Sequence, residues 1–168
     1  MTEKEPLVRI RNLKIIGITD ETEVPIINGV DLDLHRGEVI GLIGESGAGK
    51  STLGLAAMGF TRDGCHIRGG EVTFDGIDLV DAGPEIRREL LGKRIAYVAQ
   101  SAAASFNPAH RIIRQHSEAP MVHSVMPRQQ SEEDAIDLYN RLRLPNPEEI
   151  GFRLSLIHIS EPTRPNEI

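Results

Sequence analysis

The residues best suited to chemistry are Gly44-Glu45-Ser46-Gly47-Ala48-Gly49-Lys50-Ser51, where a spaced pair of glycines is followed at once by a lysine and a serine. This is the G-x-x-x-x-G-K-S spacing of a loop that cradles phosphate. Its glycines, Gly47 included, let the backbone take positive φ and aim successive N–H groups at phosphate oxygens with no Cβ in the way. Lys50 would reach the β- and γ-phosphates of a nucleotide, and the Ser51 hydroxyl would ligate the Mg²⁺ that bridges them. Thr52 follows directly and joins the expected nucleotide contacts. Such a loop works only between a buried strand and the start of a helix, where the helix dipole adds to the attraction for an anion.

Other chemistries find little support. A single cysteine, Cys65, excludes an internal disulfide and cannot alone form a thiolate metal site. The histidines, His35, His66, His110, His116, His123 and His158, are scattered without the short spacings that put two imidazoles on one helix face. With 19 basic and 25 acidic residues the net charge is −6, and no block of Lys or Arg suits a nucleic-acid backbone, so no nucleic-acid partner is expected. No apolar stretch has the length of a membrane span, and Met1-Thr2-Glu3-Lys4-Glu5-Pro6 lacks the apolar core of a signal peptide. A cytoplasmic chain of one domain's length is expected.

The elements around the loop can be read from hydropathy. Val8 to Ile16 and Val30 to Leu34 suit half-buried strands, an antiparallel pair with one wet face joined by the polar stretch Thr19 to Glu23 before Pro25. Val39-Ile40-Gly41-Leu42-Ile43 is almost continuously apolar, which predicts a strand covered on both sides, and Lys50 to Met58 has helix formers throughout. Glu71 to Phe74 with the turn Asp75-Gly76 predicts a hairpin, and Pro84 opens a helix through Leu91 with Glu85 in its first turn. Ile95 to Ala99 reads as another buried strand, tipped by Gln100 and carrying Tyr97 as a packed residue. Beyond it a helix is expected around Ile112 to Glu118. A second is expected from Ser131, capped with Asp134, burying Ala135, Leu138, Tyr139 and Leu142 and ending at Pro145-Asn146-Pro147.

The string from Gly44 to Leu53 resembles the Walker A motif of ATP-binding cassette (ABC) ATPases, and three further features agree. The antiparallel strands ahead of the loop are similar to that family's β-subdomain. Gly69 to Gly76 is similar to its segment after the first helix, and Gln100 stands where the family has its Q-loop glutamine. Tyr97 to Pro108, with Asn107-Pro108, and Pro145 to Glu149 resemble the dipeptide/oligopeptide/nickel importer branch. The resemblance implies an α/β fold: an incomplete P-loop NTPase core with an N-terminal antiparallel β-subdomain and part of the helical subdomain. It implies ATP and Mg²⁺ as ligands, with Gln100 ligating Mg²⁺ and positioning water. It also implies membrane permease subunits and a second ABC ATPase subunit, in a homo- or heterodimer, as partners. The chain itself would lie peripherally on the inner face of the plasma membrane and energise peptide import.

Two departures stand out. The family stacks adenine on an aromatic residue, and Ile15-Ile16-Gly17-Ile18 has none. After Arg153 the family continues into Leu-Ser-Gly-Gly-Gln, the Walker B carboxylates and a switch histidine, whereas Leu156 to Pro165 resembles translated adapter DNA. Residues 1–153 are thus expected to be a partial nucleotide-binding domain and 154–168 an artefactual or disordered tail. With no Asp or Glu behind an apolar run, the 168 residues are expected to bind nucleotide without hydrolysing it. A non-transport ABC ATPase and a non-hydrolysing nucleotide-binding module are the alternatives.

Overall fold

The computed structural model describes residues 5–19, 22–100 and 105–153. The Ser101–Ala104 part of the importer-like string and the tail 154–168 lie outside them. The chain divides into two compact units, Met1–Leu90 and Leu91–Ile168.

The first unit is built on an antiparallel sheet of four strands, β1 (Val8–Thr19), β2 (Thr22–Leu34), β3 (Cys65–Phe74) and β4 (Ile77–Asp78), in the order β2-β1-β3-β4. β1 is paired on both sides, and its buried residues are Val8, Ile10, Leu13 and Ile15. Strict alternation would put Leu13 on the wrong face. The slip is absorbed by a bulge: Asn12 takes φ 45°, its N–H donates to Asp31 Oδ1 at 2.6 Å, and the register shifts there against both neighbours. Gly70, at φ 93°, backs onto this bulge so closely that a Cβ would lie 2.5 Å from Asn12 O and 2.6 Å from Arg11 O. β2 is an edge strand, which is why Pro25 is tolerated opposite Ile16 without loss of a ladder bond.

The hairpin forms as expected. Asp75 and Gly76 have φ of 49° and 80°, the two left-handed residues a tight two-residue turn needs, and Phe74 pairs with Ile77. Across β1 and β2, Arg11 donates to Asp33 Oδ2 at 2.6 Å. That hydrogen bond holds the Asp33 carboxyl below its ordinary range against the opposing effect of desolvation. Because the folded value is the lower one, the pair's contribution to stability is present above the ordinary aspartate range and is lost as pH falls through the lowered value.

Helix α1 (Lys50–Ala56) is two residues shorter than its composition suggests, because Gly59 at φ 78° turns the chain out, with the Phe60 N–H on Leu55 O at 3.0 Å. Helix α2 (Pro84–Leu90) begins at the expected proline with Glu85 in its first turn. The apolar run Val39–Ile43 corrects the expectation of a covered strand. It joins no ladder, and Val39 and Ile43 are 94% and 99% exposed. An apolar run becomes a buried strand only when other strands flank it, and among the described residues none does.

The second unit is helical. Ile95 to Ala99 also corrects its expected strand: Ile95 makes an isolated bridge to Leu91, while Tyr97, expected to pack, is 58% exposed and Val98 is 91% exposed. Helix α3 (Ile112–Val122) runs beyond Glu118 and through Pro120. Helix α4 (Arg128–Arg141) starts before Ser131, so the expected capping box does not form. Pro127, with extended backbone, holds the cap position and takes the Ser131 N–H at 3.0 Å, leaving the Ser131 side chain buried within the helix. Ser131, Ala135 and Tyr139 make the buried face, whereas Leu142 lies beyond the helix end and is exposed. After Asn146 at φ 48°, helix α5 (Pro147–Ile150) begins on proline. The core of Ile112, Ile113, Ala135 and Tyr139 is flanked by Phe106 and Ile150, with the His116 ring edge-on to Tyr139.

Gly70→Ala tests the bulge. Positive φ and contact with backbone rather than a yielding side chain together should destabilise the first unit by about 1–3 kcal/mol, read as a lower urea midpoint. An unchanged midpoint would show that β1 and β3 do not meet this closely.

Candidate functional site

Gly44 to Gly49 leads directly into α1. Of its glycines, Gly47 and Gly49 have φ of 86° and 81°, and Gly44 does not have positive φ, so the left-handed conformation is concentrated in the second half of the loop. Within it the Ala48 N–H donates to Glu45 O at 3.2 Å, which closes a turn. The Lys50 ammonium folds over that turn and donates to Gly44 O at 2.8 Å and Glu45 O at 2.5 Å. The side chain thus holds its charge against the loop backbone.

Gly49 is the N-cap of α1 and offers no side-chain cap, and the first turn carries no acidic residue. The first intrahelical bond runs from Leu53 N–H to Gly49 O at 2.8 Å, so the N–H groups of Lys50, Ser51 and Thr52 precede the helical ladder. Backbone donors, a dipole end and an ammonium are thus brought together with no carboxylate in the first helical turn, Glu45 lying in the loop ahead of it, which suits an anion. Glu45, Ser46, Gly47, Ala48 and Ser51 are exposed, while the Thr52 side chain is buried. The Ser51 hydroxyl is consequently available to a ligand in a way the Thr52 hydroxyl is not.

What fixes the loop was not apparent from its motif. A Cβ on Gly49 would lie 2.8 Å from Ile27 Cδ1 and 3.3 Å from Ile26 O, so the loop end rests directly on β2. Of the segment Ile15–Ile18, Ile15 is wholly buried and Ile18 is 45% exposed. Gln100 is exposed and belongs to the second unit, at the end of the unpaired stretch from Ala96. In that unit the His123 ring Nε2 lies 2.6 Å from Leu91 O, and His116 packs on Tyr139. Among the described residues no cluster of three or more His, Cys, Asp or Glu could hold a metal ion.

A glycine loop resting on β2, two left-handed glycines and an uncapped helix start are features of a P-loop, although no strand leads directly into the loop among the described residues. The family model described as ABC transporter matches residues 27–161, and the chain belongs to that family. It is 32% identical over 143 residues to the probable peptide ABC transporter ATP-binding protein y4tR of Sinorhizobium fredii, covering 84% of this chain and 43% of that protein. It is 33% identical over 139 residues to CntD, the metal-staphylopine import system ATP-binding protein of Staphylococcus aureus, covering 82% and 51%. The chain thus spans about half the length of the curated relatives it matches. In fold it resembles the dimeric post-hydrolysis state of the ATP-binding cassette MJ0796 bound to ADP and Pi, with a TM-score of 0.69, 19% identity and coverage of 88% of this chain and 61% of that one. The α/β cassette fold expected from the sequence is therefore the fold of the family.

Gly49→Ala should destabilise the first unit by about 1–3 kcal/mol through its backbone strain. Gly47→Ala carries the same φ penalty but meets nothing within 4 Å. A thermal midpoint lowered more by Gly49→Ala than by Gly47→Ala is expected. Equal shifts would mean that contact with Ile26 and Ile27 does not hold the loop.

Proposed function

We propose that the chain is the nucleotide-binding part of a cytoplasmic ATPase subunit that energises peptide import. Such a subunit would pair with a second ATPase subunit and act on membrane permease subunits from the inner face of the plasma membrane. The observation that carries the reading is the Gly44–Ser51 loop, with two left-handed glycines, a lysine folded over its turn and an uncapped helix start behind it. Family membership and the peptide-transport names among the relatives support the transport role. No helix among the described residues is long and apolar enough to cross a membrane, which fits a subunit that needs a partner to span it.

In this reading the backbone N–H groups of Gly47, Gly49, Lys50 and Ser51 bind phosphate oxygens. Lys50 exchanges the carbonyls of Gly44 and Glu45 for the β- and γ-phosphates, an exchange of neutral acceptors for charged ones that favours the bound state. The Ser51 hydroxyl would ligate Mg²⁺, whose charge would offset that of the phosphates; the roles of Gln100 toward Mg²⁺ and water come from the family resemblance. With no aromatic residue in Ile15–Ile18, an aliphatic contact there would supply area to the adenine without π-stacking. Hydrolysis also needs a carboxylate to orient the attacking water. No Asp or Glu in the 168 residues follows an apolar run in the manner of Walker B, so this chain alone binds ATP and does not turn it over.

Titration calorimetry with Mg-ATP tests both halves. The chain should bind ATP, and Lys50→Ala should weaken binding at least about tenfold, as loss of charge-assisted hydrogen bonds does. No phosphate should be released by either protein. Turnover that Lys50→Ala abolishes would overturn the claim that these residues lack the carboxylate that hydrolysis needs.

A further inference from the structure

The first turn of α3 holds two segments that are far apart in the sequence. On one side, Gln115 spends its whole side-chain amide on the loop before the helix. Its Oε1 accepts from Asn107 N–H at 2.7 Å, and its Nε2 donates to Asn107 O and His110 O, both at 3.0 Å. The loop is also closed on itself: Ala109 N–H donates to Asn107 Oδ1 at 3.0 Å and His110 N–H to Asn107 O at 3.1 Å. On the other side, Ile112 N–H donates to Arg153 O at 3.1 Å and Ile113 N–H to Gly151 O at 2.6 Å. These carbonyls take the place of a side-chain cap, which Arg111 at the N-cap does not supply. Gly151 is seated tightly, since a Cβ there would lie 3.2 Å from Ile113 and from Tyr139.

We propose that Gln115 is a positioning residue that joins the Asn107–His110 loop and the Gly151–Arg153 segment into one body through the first turn of α3. The linkage is physical. His110 O, held by Gln115, immediately precedes the N-cap Arg111, whose extended backbone (φ −66°, ψ 145°) aims the Ile112 and Ile113 N–H groups at their acceptors. Releasing His110 O frees that backbone to rotate, and both N–H groups leave the carbonyls of Arg153 and Gly151. The junction goes beyond the nucleotide reading and does not depend on it.

Amide hydrogen exchange on the full 168-residue chain without nucleotide tests the junction. In Gln115→Ala, exchange at Asn107 should quicken by about tenfold as its acceptor is lost, and exchange at Ile112 and Ile113 should quicken with it, while Ala135 and Tyr139 in α4 keep their protection. Coupling is reciprocal, so Gly151→Ala, which crowds the opposite side, should quicken Asn107 as well. Acceleration confined to Asn107 and Ala109, or spread evenly through α4 as global destabilisation, would overturn the proposal. So would a Gly151→Ala variant that leaves Asn107 unchanged.

Discussion

The phosphate loop owes its position to a place where a side chain cannot go. Gly49 lies so close to Ile26 and Ile27 that a single Cβ would enter van der Waals space, and its φ of 81° is one that other residues adopt only with strain. The loop is therefore set on β2 rather than hung between a strand and a helix. The same device recurs inside the sheet, where Gly70 at φ 93° makes room for the bulge that returns Leu13 and Ile15 to the buried face of β1. Two close approaches permitted by glycine thus organise the first unit, one for packing and the other for the site.

In the proposed reading the loop binds and does not hydrolyse. Attraction for phosphate would come mostly from the backbone, from N–H groups ahead of the α1 ladder, and would need no tuned side chain. Lys50 adds a charge held over the turn by the Gly44 and Glu45 carbonyls. Cleavage makes a further demand, since water must be oriented by a carboxylate and the loop supplies none in its first helical turn.

Local chemistry was legible in the sequence, and long-range pairing was not. The spacing of Gly44, Gly49, Lys50 and Ser51 gave the loop because each position has a local conformational or charge requirement. Asp75-Gly76 gave the hairpin for the same reason, and Pro84 gave the start of α2. Val39–Ile43 and Ile95–Ala99 misled because apolar composition reports a tendency to be covered without naming what covers it, and ladder partners are non-local. Ser131 with Asp134 looked like a cap but lies inside α4, where Pro127 already serves as the boundary. The Gln115 clamp left no signal in periodicity, since its three bonds go to backbone atoms that any sequence presents. Lys50 was legible as a candidate phosphate ligand, but its contact with the loop carbonyls was not.

The central claim is that the backbone of this loop binds the phosphates of ATP, and backbone amide chemical shifts measured during titration with Mg-ATP test it most directly. The account predicts saturable shifts at Gly47, Gly49, Lys50 and Ser51, reproduced by ADP and absent with adenosine. Shifts that adenosine reproduces, or an unmoved loop while ATP binds elsewhere, would contradict it.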